Sequence, residues 1–110
     1  MRSTLLTENV HTQAKTAMQN FHPAIVMEIE KSIKGYEWVV VGMAQNPRVK
    51  MAKNYLTEKQ IPFHYIEHGS YFSKWKERLA IKLWSGWPTF PQVFHKGVLI
   101  GGASDLKKYI

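Results

Sequence analysis

Apolar residues recur at three- and four-residue steps in two early stretches. Leu6, Val10, Ala14, Ala17 and Phe21 trace one amphipathic helix face, and Ile25, Ile29 and Ile33 trace a second. His22-Pro23 separates them, because a residue before proline is pushed out of the α region. The second helix carries a Glu30–Lys34 pair on its flank and meets Gly35 at its stop. The pattern then becomes a continuous run rich in β-branched residues, Trp38-Val39-Val40-Val41-Gly42, which predicts a buried strand. Asn46-Pro47 opens a further helix, since asparagine is a strong N-cap and proline suits the first turn. Val49, Ala52 and Leu56, with Met51 and Tyr55 beside them, give it an apolar side as far as about Lys59. Ile61-Pro62 turns the chain into a second strand, Phe63–Glu67. A helix over 71–84 has Phe72, Trp75, Leu79, Ile81 and Leu83 as its expected apolar contacts, and Ser85-Gly86 ends it. Phe90–His95 and Val98–Ile100 flank Lys96-Gly97 as a hairpin, and a short helix of roughly Ser104–Tyr109 follows Gly101-Gly102.

A strand, helix, strand unit makes its two strands parallel, and the closing hairpin adds antiparallel neighbours. The expected fold is therefore a mixed four-stranded α/β sheet flanked by helices, a thioredoxin-like topology. Residues 1–36 read as an N-terminal helical extension and 37–110 as the folded domain.

Composition narrows the chemistry. The 110 residues hold 45% apolar side chains, enough for a core, and no apolar run reaches the roughly 20 residues of a bilayer span. Cysteine is absent, so no disulfide, thiolate nucleophile or cysteine-ligated cluster can form within the chain. The formal net charge is +7, which suggests an anionic partner or a solvated cationic surface. The cations concentrate mildly at Arg48, Lys50, Lys53 and Lys59 and at Lys74, Lys76, Arg78 and Lys82. His64 and His68 stand four apart across a strand end, with no acidic cluster beside them, so no metal site is expected. Met1–Phe21 lacks a secretory apolar region, which points to the cytoplasm, and no membrane partner is expected.

Trp87-Pro88-Thr89-Phe90-Pro91-Gln92-Val93-Phe94, then Gly97, then Ile100-Gly101-Gly102, resembles the glutaredoxin family. The tryptophan-led form is similar to its monothiol branch, and Arg78, Lys82, Trp84 and Ser85 fall where that branch has its lead-in. The resemblance covers roughly 37–106. It implies a cis bond at Phe90–Pro91, whose flanking backbone groups pair with the cysteinyl unit of glutathione or with an extended peptide. It implies close backbone approach at Gly101-Gly102, a γ-glutamyl contact at Ser104 and Asp105, and a glycyl-carboxylate contact at Arg78. It also places Asn46 at the nucleophilic cysteine, Met43 at a lysine just upstream, and Ala103-Ser104 where the family has Cys-Asp. A carboxamide has no thiolate form, so exchange chemistry and iron–sulfur ligation are lost at that position.

The expected function is thus a redox-inactive, non-enzymatic glutaredoxin-like protein. It would bind glutathione or an acidic or extended peptide through Asn46, Arg78, Phe90, Pro91, Ser104 and Asp105, with Arg48, Lys50, Arg78 and Lys82 as a cationic rim. Two other classes stay open. One is a basic nucleic-acid-binding or protein-interaction module on the same fold, with Trp75, Trp84 and Trp87 as base-stacking or core and groove residues. The other is a structural or oligomerising role for the N-terminal helices.

Overall fold

Every residue of strand β1 (Trp38–Gly42) is buried, so it needs apolar cover on both faces. The computed structural model, which describes residues 23–70 and 73–110, supplies that cover with four helices. β1 is followed by helix α2 (Pro47–Glu58), strand β2 (His64–Glu67), helix α3 (Trp75–Ser85), strands β3 (Gln92–His95) and β4 (Val98–Gly101), and helix α4 (Ala103–Tyr109); helix α1 (Pro23–Gly35) precedes it. The sheet order is β2-β1-β3-β4, with β1 parallel to β2 and antiparallel to β3, and β3 antiparallel to β4. This is the expected thioredoxin-like fold. The helix expected around Leu6–Phe21 lies outside the described residues, as does Phe72.

Alternation along β1 divides the core. Val39 and Val41 face a cluster with Ile29, Ile66, Ile81, Phe90 and Phe94, beneath α1 and α3. Trp38 and Val40 face Ala52, Leu56, Val93, Ala103 and Leu106, beneath α2 and α4. Helix α1 is thus part of the packing: Ile29 is fully buried, and Glu30 Oε1 accepts from Trp84 Nε1 at 3.0 Å.

Three local outcomes differ from the pattern. β3 begins at Gln92 rather than Phe90, because Pro91 has no N–H for the ladder and the register opens at Val41↔Gln92. The chain reaches α3 through Lys74 in the left-handed region, so the helix starts at Trp75 rather than 71. On α3 the expected apolar contacts hold only in part: Ile81 is buried, but Trp75 is 60% exposed and Leu79 and Leu83 are exposed too, while Arg78 and Ala80 are buried beside Ile81. The hairpin matches expectation, with Lys96 and Gly97 both at positive φ, as a two-residue turn that follows the strand twist requires.

Buried His68 sits where α1, β2 and α3 meet. Its Nε2 lies 3.6 Å from Glu28 Oε1 on α1 and has no hydrogen-bond partner among the described residues. Burial holds its pKa below the ordinary value, aided by Lys74 and opposed by Glu28 and Glu77. Between the ordinary value of about 6.5 and the lowered folded value, the unfolded chain binds the extra proton. Stability should therefore fall as pH drops below about 6.5, by at most about 1.4 kcal/mol per pH unit from this group. Urea midpoints of wild type and His68→Leu across that range check the effect; equal slopes in the two would remove His68 as the cause.

Candidate functional site

Asn46 caps α2 with extended backbone, and its Oδ1 accepts from Arg48 N at 2.9 Å and from Val49 N at 3.2 Å. Two backbone donors on one atom identify it as the oxygen and hold the side chain against the helix start. From there Arg48 reaches toward the start of α4, where its Nη1 donates to Ser104 Oγ at 3.3 Å. Opposite stands the segment before β3. Gln92 Nε2 donates to Trp87 O at 3.1 Å, Trp87 N donates to Ser85 Oγ at 3.1 Å, and the Phe90–Pro91 bond is cis.

Between these walls runs a groove of about 530 Å³. Asn46, Phe90, Pro91, Ser104 and Asp105 all line it, so five of the six site residues expected from sequence come together. Arg78 does not join them. Its guanidinium is buried on the inner side of α3, with Nη1 donating to the carbonyls of Ser73 and His68. Lys82, one turn further along, lines the groove instead, with Nζ 5.7 Å from the Phe90 ring centre. Met43, Trp87 and Thr89 are among the other residues of the wall. Of these, Trp87 and Thr89 belong to the motif that carries the family resemblance, although neither was singled out as a site residue.

Gly101 and Gly102 shape the far end. Gly101 has φ +127, and a Cβ there would come within 2.7 Å of Asp105 Oδ2, so a side chain is excluded on both counts. Asp105 Oδ2 is held by Gly102 N–H at 3.0 Å. A Cβ on Gly102 would project toward Pro91 O and Trp87 Nε1, at 3.7 and 3.9 Å, in space that a ligand backbone can use. That indole N–H is buried with no acceptor among the described residues.

A chain that pairs a capped helix start with a cis-proline loop and a diglycine has known relatives. The sequence model of the family described as Glutaredoxin matches residues 47–100. A glutaredoxin-like protein of Dictyostelium discoideum is 46% identical over 102 residues, spanning 93% of this chain and 80% of that protein. The chain belongs to the glutaredoxin family. It is also similar to glutaredoxin-3 of Homo sapiens, 35% identical over 69 residues, which is 61% of this chain but 20% of that protein. Among solved structures, a buckwheat glutaredoxin–glutathione complex superposes with a TM-score of 0.67 at 18% identity, covering 78% of each chain; that likeness shows the fold.

Unlike a thiol-bearing glutaredoxin, this family member has no cysteine in its 110 residues. Among the described residues no group of three or more His, Cys, Asp or Glu could hold a metal ion, and no helix is long and apolar enough to cross a membrane. His64 stacks on Tyr36 with ring centres 4.2 Å apart, away from the buried His68 environment.

A second hollow, of about 640 Å³, lies on the other side of Asn46 and was not anticipated from sequence. Its wall includes Lys53, whose Nζ lies 3.9 Å from the centre of the Tyr65 ring, and Tyr65 Oη donates to Glu67 Oε1 at 3.0 Å. Burial and that hydrogen bond push the Tyr65 hydroxyl above its ordinary pKa.

Proposed function

We propose that this glutaredoxin-like chain is a non-enzymatic binding protein that takes glutathione, or an extended peptide of related shape, in the groove between Asn46 and Gly102. Asn46 stands where the family's nucleophilic cysteine would be, so the bound ligand is held without a covalent step. The observation that carries this is the 530 Å³ groove itself, lined by the cis-proline segment and Gly102, by the cations Arg48 and Lys82 and by polar Ser104 and Asp105. Those groups fit a small zwitterion with two carboxylates and one ammonium. Arg48 and Lys82 suit carboxylates, Asp105 suits an ammonium, and the space beside Gly102 admits a backbone. The buckwheat complex supports the ligand class by likeness of fold.

Amide NMR during titration with reduced glutathione tests the proposal. Shifts should concentrate at Asn46–Arg48, Lys82, Phe90–Gln92 and Gly102–Asp105. Silence up to about 10 mM, an affinity weaker than roughly −3 kcal/mol, would mean the groove does not bind it. In the same titration Lys82→Ala should weaken binding several-fold, since Lys82 lines the groove. Arg78→Ala should instead lower thermal stability, because it strips a buried donor from two backbone carbonyls.

A further inference from the structure

Asn46 does more than fill a vacated position. Its Oδ1 is occupied twice, by the N–H groups of Arg48 and Val49, so the leading donors of α2 are already satisfied and the helix start is not itself a site. What Asn46 offers outward is the remaining polar atom, Nδ2, which donates to no described residue although the side chain lines both hollows. A thiolate at this place would be an acceptor and a nucleophile; the amide nitrogen is only a donor. The charged groups lining the same groove are Arg48, Lys82 and Asp105. Asp105 is turned onto Gly102 N–H, and the two cations are the groove's other charges.

We infer that the groove selects a ligand carrying an oxyanion where glutathione carries its thiol. The ligand class is a γ-glutamyl tripeptide or similar short peptide whose central side chain ends in a sulfonate, sulfinate or carboxylate. This rests on the proposed use of the groove and adds to it the identity of the group that meets Asn46. A charged acceptor on Nδ2 forms the stronger class of hydrogen bond, whereas a thioether accepts weakly.

The test compares glutathione sulfonate with S-methylglutathione by calorimetry on the full chain, at two salt concentrations, in wild type and Asn46→Asp. Aspartate caps a helix as well as asparagine does, so the variant keeps the fold while replacing the outward donor with a carboxylate. Wild type should bind the sulfonate about tenfold or more tightly than the thioether, from one charge-assisted hydrogen bond. Asn46→Asp should bring the two ligands to parity or reverse them. Equal affinities in wild type would overturn the inference while leaving the groove's function intact. So would a preference that survives Asn46→Asp unchanged, which would assign it to Arg48 and Lys82 alone. Failure of both ligands to bind at about 10 mM would overturn the proposed function itself.

Discussion

Asn46→Cys should convert this chain into one that forms a mixed disulfide with glutathione. The thiolate would stand at the start of the twelve-residue α2, facing the Arg48 and Val49 N–H groups that Oδ1 now receives, and both features lower a thiol pKa. It would attack one sulfur of oxidised glutathione, and the other glutathione would leave as its thiolate. Mass spectrometry should show one glutathionyl adduct that dithiothreitol removes, where the parent chain shows none. The expected change is from no reaction to complete modification, at a stability cost of about 1 kcal/mol for the weaker cap. An accessible cysteine that reacts with a small maleimide but not with oxidised glutathione would mean that the groove does not orient the tripeptide.

The second large effect concerns stability. Ile29→Ala should cost about 2–5 kcal/mol, a substantial share of the marginal stability of a small domain. Ile29 is fully buried beside Val39, Ile81 and Phe94, so truncation opens a cavity in the core under α1 and α3. Equilibrium urea unfolding measures it. A change below about 1 kcal/mol would show that α1 is a loosely attached appendage and that the domain proper starts near residue 37. Met27, exposed on the same helix, serves as the comparison site, where alanine should be nearly neutral.

The sequence made the sheet legible because a β-branched run, a proline–asparagine cap and a Lys-Gly turn each report local geometry that long-range packing did not override. It also placed the groove, since Pro91, the diglycine and Asn46 mark backbone positions rather than side-chain destinations. The α3 face was a different matter. Ile81 and Trp84 pack inward as expected, but Trp75, Leu79 and Leu83, whose helical spacing suggested the same buried stripe, are exposed, and Arg78 takes the inner side with Ile81. Arg78 sits one turn before Ile81, and its burial depends on carbonyls at His68 and Ser73 that meet it only in three dimensions. No local pattern encodes that. That of the two cations expected on this helix only Lys82 lines the groove was illegible for the same reason: adjacent turns of one helix look alike until the loop before it is folded.

His95 joins three parts of the chain. It stacks on Trp38 with ring centres 4.0 Å apart, its Nε2 lies 3.0 Å from Glu37 Oε2, and its Nδ1 lies 2.8 Å from Tyr109 Oη. The tautomer that donates Nε2–H to the carboxylate leaves Nδ1 to accept from the tyrosine hydroxyl. A seven-residue helix is too short to persist alone, and its last turn would ordinarily fray. Tied through Tyr109 to the end of β3, and through Leu106 to the core, α4 should instead open together with the sheet, which amide hydrogen exchange in the two elements would check. Ser104 and Asp105, the groove residues that it carries, should then share the cooperative unit of the central strands, and that wall of the groove should last as long as the sheet does.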